Sequence, residues 1–209
     1  MSEEQRAEAY THIRAQLPFL SPLIAATAEI DLPKRNGEPV ADALVRIVAG
    51  QMLSRSAAQS ILARMNIAAQ WVGCGPLHRL PESELRACGL SGRKAKTIAL
   101  ISEMASTEAE RLESWRALPF DELRREVSSV WGLSDWSASV LGIFHFGQPD
   151  VFPMSDGSLV RAIRLIEQQM SIIEDRLAHE AAAPFRSYLA LTFWAALDHG
   201  HLVAAQAAK

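Results

Sequence analysis

The sequence predicts an all-α protein, and three observations carry that prediction. Apolar residues recur at spacings of three and four along most of the chain. No run of β-branched alternation marks a strand, and the segments between apolar stripes are short and rich in Gly, Pro and Ser. Composition agrees, since 49% of the 209 residues are hydrophobic and 22% charged, the balance of a chain that buries a core rather than staying disordered. The length allows one domain or two closely fused lobes.

The elements follow in order. Leu44, Val45, Val48 and Met52 form one apolar stripe. Ser54 is the expected N-cap of a second helix carrying Ala57, Ala58, Ile61, Leu62 and Met65, which Gly73 and Gly75-Pro76 stop. Ser83 to Arg86 starts a short helix broken at Gly89, and Ser91-Gly92 leads into a stripe of Ala95, Ile98, Ala99 and Ile101. Asp121 to Val127 gives another short helix, broken at Gly132; Trp136, Val140 and Ile143 then follow with helical spacing until Gly147-Gln148-Pro149. Asp156 or Ser158 is placed to cap a helix containing Leu159, Ala162, Ile163 and Ile166. The last long helix is expected from Pro184, a good first-turn residue, to Leu197. The sum is about ten helices, with hinge candidates at Asp31 to Pro39 and at Pro149 to Gly157.

Several function classes are disfavoured. No apolar run approaches the roughly 18 to 20 residues that cross a bilayer, and the polar, acidic start Met1-Ser2-Glu3-Glu4-Gln5 is unlike a secretory or transit signal. A cytoplasmic protein is expected. Cys74 and Cys88 are too few for a four-cysteine iron–sulfur cluster or a disulfide framework, so they read as small buried apolar residues. The six histidines show no metal-ligand spacing.

The net charge of −3 conceals a segregation. Between Ala43 and Ser102 eight bases, among them Arg93, Lys94 and Lys96, meet only Glu82 and Glu84, a net +6, while both flanking stretches are acidic. A basic middle of this kind suits a polyanion-facing surface. Its other reading is a set of solvated helix faces.

Within that middle and after it lie two similar short stretches: Leu85-Arg86-Ala87-Cys88-Gly89-Leu90-Ser91-Gly92-Arg93-Lys94-Ala95 and Val127-Ser128-Ser129-Val130-Trp131-Gly132-Leu133-Ser134-Asp135-Trp136-Ser137-Ala138. Each reads as helix, glycine turn, helix. Such a turn lets bare backbone approach a ligand, and the following helix presents unpaired N–H groups suited to a phosphate.

Three segments, Leu44-Val45-Arg46-Ile47-Val48-Ala49-Gly50-Gln51-Met52-Leu53-Ser54, Trp131-Gly132-Leu133-Ser134-Asp135-Trp136-Ser137-Ala138 and Asp150-Val151-Phe152-Pro153-Met154-Ser155-Asp156, resemble successive signatures of the helix-hairpin-helix DNA glycosylase superfamily. The similarity is greatest to its alkylation-repair branch, the 3-methyladenine DNA glycosylase II group, and Pro184-Phe185-Arg186-Ser187-Tyr188 with Trp194 extends it to cover about residues 40 to 197. The resemblance implies two helical lobes, about 40–148 and 1–39 plus 149–209, with an active-site cleft between them. It implies a monofunctional enzyme that flips a damaged nucleotide out of double-stranded DNA and hydrolyses its N-glycosidic bond. The implied substrates are cationic alkylated purines such as 3-methyladenine, and the product is an abasic site. Glycosylases for oxidised or deaminated bases, and a non-catalytic helix-hairpin-helix DNA-binding protein, are the alternatives.

Site residues follow from the same resemblance. Asp156 matches the catalytic aspartate, although by position alone it reads as the cap of the following helix; Asp150 is the neighbouring alternative. Trp136 and Trp194 match residues that line the base pocket, or else are core tryptophans, and Val140 and Gly157 stand where relatives place pocket tyrosines. Trp136 also stands where backbone-cutting relatives carry a Schiff-base lysine. Gln51 and Met52 match the gap-filling wedge, although Met52 also fits a core stripe. Gly132 and Ser134 stand in the second hairpin as DNA contacts, Ser134 replacing the usual second glycine, while Gly89, Gly92, Arg93, Lys94 and Lys96 of the first hairpin supply the basic face expected to meet DNA. Backbone carbonyls of Ser128, Val130 and Leu133 match a site for a structural monovalent cation; no catalytic cofactor is implied. A monomer, acting in the cytoplasm and at the nucleoid in a bacterium, completes the expectation.

Overall fold

The computed structural model describes residues 3–33, 37–169 and 179–203; positions 34–36 of the first hinge candidate lie outside them. The helices are α1 (Glu3–Gln16), α2 (Ser21–Thr27), α3 (Val40–Gly50), α4 (Arg55–Val72), α5 (Glu82–Ala87), α6 (Gly92–Thr107), α7 (Ala109–Ser114), α8 (Phe120–Ser129), α9 (Asp135–Phe144), α10 (Gly157–Gln169) and α11 (Arg186–Asp198). No strand occurs among the described residues, as the spacing predicts. None of the described helices is long and apolar enough to cross a membrane.

The chain divides into two compact units. One is Asn36–Leu141; the other joins Met1–Arg35 to Gly142–Lys209. In the first, α3 is buried on nearly every side, through Val40, Ala41, Ala43, Leu44, Val45, Val48 and Ala49. Burying each of its larger side chains is worth about 1.5–3 kcal/mol relative to exposure. The acidic member of that helix, Asp42, is buried too, and it is satisfied by the backbone N–H of His78 at 3.2 Å and by His78 Nδ1 at 2.8 Å. Ser54 caps α4 by accepting from Ala57 N at 3.3 Å, and Gly73, at φ 67, ends it. Cys88 is buried and Cys74 half-buried, both as free thiols.

In the second unit α11 is the central helix, with Ser187 through Phe193 all buried. Leu159, Ala162, Leu165 and Ile166 give α10 its buried face. From α1, Tyr10 lies edge-on to Tyr188 with ring centroids 5.8 Å apart, and its hydroxyl meets Thr192 Oγ1 at 3.2 Å.

Two boundaries depart from the sequence expectation. The last helix starts at Arg186 rather than at Pro184, because its end is closed from a distance: Asp150 Oδ1 accepts from Arg186 N at 3.3 Å and from Arg186 Nε at 2.7 Å. The α3 stripe stops at Gly50, so Met52 lies beyond the helix and is fully exposed instead of buried.

The second hairpin, α8–α9, is held by a close approach that only glycine permits. Gly132 has φ 89, and a Cβ built there would lie 1.9 Å from Thr97 Oγ1 of α6. Gly132→Ala is expected to cost about 3 kcal/mol or more in urea unfolding, from a strained φ and a steric clash together. Thr97→Ala in the same chain recovers part of that loss; a cost below about 1 kcal/mol would show that the hairpin simply shifts.

Candidate active site

In the second unit, Asp156 occupies the turn before α10 and is half-buried. Its Oδ1 accepts from Ser158 N at 3.0 Å and Leu159 N at 3.0 Å, the bonds of an N-cap. Two further donors reach the same oxygen: the Ser158 hydroxyl, and the Trp194 indole Nε1 from α11 at 3.3 Å. Trp194 Nε1 lies 3.0 Å from Ser158 Oγ as well, so the indole N–H is shared between the two oxygens. Convergent donors of this kind suit an anionic oxygen. Asp156 is therefore both the cap that its position suggests and the partner of an aromatic ring on another helix.

Trp194 is half-buried, and its ring centroid lies 5.5 Å from that of Phe144, which is 41% exposed. Phe144 is a site residue that the sequence reading missed. The signal was present: Trp136, Val140 and Phe144 succeed one another at i, i+4 and i+8 on α9, so an aromatic returns one turn after the valine that replaces a tyrosine. Gly157 opens α10 with open space where a Cβ would point. Asp150, the other carboxylate, is held by Arg186 in a two-pronged ion pair, Nε–Oδ1 at 2.7 Å and Nη2–Oδ2 at 2.9 Å. It is thereby tied to the start of α11.

In the first unit the remaining predicted residues gather around the two hairpins. Gln51 and Met52 form the middle of a turn from Gly50 to Leu53, closed by Leu53 N to Gly50 O at 3.2 Å. Gln51 has φ −50 and ψ 133 and Met52 has φ 56, the angles of a type II turn with methionine in the position that favours glycine. That conformation costs an L-residue about 1 kcal/mol or more. Gln51 Nε2 donates to Gly132 O at 3.1 Å and Ser137 Oγ at 3.2 Å, which ties the turn to the second hairpin.

Five of the eight bases of the central stretch fall into two groups. Arg64 Nε donates to Cys88 O at 2.9 Å, Arg86 Nη1 to Leu90 O at 3.0 Å, and Lys94 Nζ to Ala49 O at 2.9 Å and Gln51 O at 2.8 Å. These cations close helix ends and hairpin turns, and Lys94, read from sequence as a DNA contact, has two of its three donors used inside the fold. Burial pushes the Lys94 ammonium below its usual pKa. Arg93 and Lys96, by contrast, are exposed and flank the half-exposed ring of Trp131, with Arg93 Cζ 5.5 Å and Lys96 Nζ 4.7 Å from its centroid. Gly89 forms the first turn at φ 99, Ser91 caps α6, and Gly92 is the first residue of that helix.

In the second hairpin Ser134 N donates to Ser137 Oγ at 3.3 Å, and Leu133 N to Val130 O at 3.0 Å. Asp135 begins α9 and is paired, accepting from Ser128 Oγ at 2.7 Å and Arg124 Nη1 at 3.2 Å. The Ser128 hydroxyl above all holds its carboxyl below the usual range; burial opposes it, and Arg124 adds to the lowering. Trp136, one residue on, is half-buried. Among the described residues no group of three His, Cys, Asp or Glu is placed to hold a metal ion.

No protein-family model matches the chain. Its sequence is 29% identical over 164 residues to DNA-3-methyladenine glycosylase 1 of Schizosaccharomyces pombe, covering 72% of this chain and 69% of that protein. Among solved structures, the fold is similar to that of the fission-yeast 3-methyladenine DNA glycosylase Mag1 in complex with abasic DNA, with TM-score 0.74, 23% identity, and 97% of this chain and all of that one covered. The DNA-3-methyladenine glycosidase of Bacillus halodurans aligns with TM-score 0.68 and 24% identity over 90% and 88% of the two chains. The 3-methyladenine DNA glycosylase of Archaeoglobus fulgidus aligns with TM-score 0.71 and 18% identity over 95% and 71%. These likenesses show the fold.

Replacing Ser128 by Ala is expected to move the Asp135 pKa up toward the ordinary carboxylate range, read by carbon-13 NMR titration. A depressed folded-state pKa stabilises the hairpin above the unfolded value, and the contribution is lost as pH falls through the folded one. An Asp135 titration unmoved by the substitution would assign the shift to Arg124 instead.

Proposed function

We propose that this chain is a DNA glycosylase that hydrolyses the N-glycosidic bond of alkylated, cationic purines such as 3-methyladenine. We place it in the helix-hairpin-helix superfamily, in the 3-methyladenine DNA glycosylase II branch. The observation that carries the reading is Asp156 Oδ1 bound by both the α10 terminus and the Trp194 indole, in a fold shared with three 3-methyladenine glycosylases. A damaged nucleotide must leave the stack before its sugar can be attacked. Cleavage then passes through an oxocarbenium-like state, which an ionised carboxylate stabilises. Water adds to the anomeric carbon as the C–N bond breaks, the bonding electrons leave with the base, and the water's proton passes to solvent. A base that is already cationic departs neutral and needs little acid assistance.

The aromatic residues divide the remaining work. Trp194 and Phe144 offer ring surface next to the carboxylate, which suits stacking and cation–π attraction to an alkylated purine. Trp136 stands at the position of the lysine used by backbone-cutting relatives, and an indole forms no Schiff base, so the product is an intact abasic strand. Met52, fully exposed at a turn tip, fills the gap left by the everted base. Arg93 and Lys96, with the turns at Gly89, Gly92, Gly132 and Ser134, meet the phosphates. The carbonyls of Ser128, in the last turn of α8, and of Val130 and Leu133 just after it are neutral oxygen donors where the helix dipole is negative, and suit a hard monovalent cation. Such an ion, when bound, would supply positive charge at the turn. We infer a monomer working on double-stranded DNA in the cytoplasm, at the nucleoid in a bacterium.

Release of 3-methyladenine from methylated DNA by the purified protein tests the activity, and Asp156→Asn tests the residue. Asn equals Asp as an N-cap, so stability should hold within about 0.5 kcal/mol. Base release should fall at least about a hundredfold. Base release at the wild-type rate by Asp156→Asn would leave a capping residue and a non-catalytic DNA clamp; strand breaks appearing without alkali would remove the role given to Trp136. Arg93→Ala with Lys96→Ala should weaken DNA binding across sequences and lower the slope of log affinity against log salt by about 1 to 2, and an unchanged slope would turn that face away from DNA.

A further inference from the structure

The turn that presents Met52 is strained and exposed, a conformation that persists only where the surroundings over-determine it. Its side chain makes no such restraint, since Met52 is fully exposed. The restraint comes from beneath. Lys94 Nζ, on the first turn of α6, donates to Ala49 O at 2.9 Å in the last turn of α3 and to Gln51 O at 2.8 Å within the turn itself. These two carbonyls straddle the point where the chain leaves the helix. A cation placed there answers the negative end of the α3 dipole and the carbonyls that a helix C-terminus leaves without partners. The Gln51 carbonyl belongs to the peptide unit joining Gln51 to Met52, so gripping it fixes that peptide's orientation. The Gln51 side chain grips the same residue from the other side, at Gly132 O and Ser137 Oγ.

We propose that Lys94 is a positioning residue for the reaction: its ammonium holds the Gly50–Leu53 turn in the form that projects Met52 into the DNA gap. The proposal rests on the wedge role given to Met52. It moves the function of Lys94 from a phosphate to the backbone of its own protein. The first hairpin thereby sets the wedge through Lys94, and the second hairpin sets it through Gln51.

A wedge matters only where an everted base leaves a hole in a duplex; a single strand has no such hole. The quantity that reads the proposal is therefore the ratio of base-release rates on methylated duplex and on the same methylated DNA as single strands. Loss of a charge-assisted hydrogen bond predicts that Lys94→Met lowers this ratio about tenfold. Met52→Ala should lower it comparably, and Lys94→Met added to Met52→Ala should lower it no further, because Lys94 acts through Met52. A loss of fold would depress both rates together and leave the ratio, so the measurement separates positioning from stability. If Lys94→Met does not fold, Lys94→Gln, which keeps an N–H for one carbonyl, carries the same comparison. A ratio lowered by Met52→Ala but unchanged by the Lys94 variants overturns the proposal alone, as do additive effects in the double variant. A ratio unchanged by Met52→Ala overturns the wedge reading on which it rests.

Discussion

One oxygen atom, Asp156 Oδ1, closes the N-terminus of α10 and holds the indole of Trp194 on α11. An all-helical chain has no sheet edge from which to hang a reactive group, so its polar chemistry gathers where helices begin and end and where backbone groups lack partners. At the start of α10 that requirement is met by the same carboxylate on which the proposed function depends. The backbone N–H groups and the indole surround a carboxylate as they would any bound anion. Capping does not conflict with the catalytic role proposed for Asp156, because a carboxylate serves both.

The same accounting of helix ends explains the basic middle of the chain. Arg64, Arg86 and Lys94 each donate to a main-chain carbonyl at a hairpin or helix terminus. Only part of the segregated charge is thus turned outward, and Arg93 and Lys96 beside Trp131 represent that part. Net charge over a segment overstates the charge available to a polyanion when the fold itself consists of short helices with many ends. The acidic counterpart behaves likewise, since Asp135 is paired with Ser128 and Arg124 and presents less negative charge than its position suggests.

Most elements were legible because their signals are local. Stripes at three and four, Ser54 as a cap and glycines at 73, 89 and 132 place α4 through α6 and α8 through α9 close to where they occur. What was not legible depends on contacts far apart in sequence. The start of α11 is set by Asp150, 36 residues earlier. Met52 continued the α3 stripe in sequence, but the helix ends two residues before it, at a turn that Lys94 and Gln51 hold. A lysine in a basic segment looks the same whether it meets a phosphate or a carbonyl. The carboxylate at 156, by contrast, was legible as cap and as candidate alike; its indole partner required the fold.

The division of the chain into a continuous unit and an interrupted one bears on the order in which it assembles. Asn36–Leu141 is uninterrupted, so every contact within it becomes available as soon as that stretch has left the ribosome. The other unit needs its far half first: the Tyr10 hydroxyl reaches Thr192 across 182 positions. Closing so long a loop costs entropy before any contact rewards it, which slows the step. During synthesis α1 and α2 must wait for α11 with their apolar faces uncovered, and in that interval the growing chain is most exposed to aggregation and to holdase chaperones.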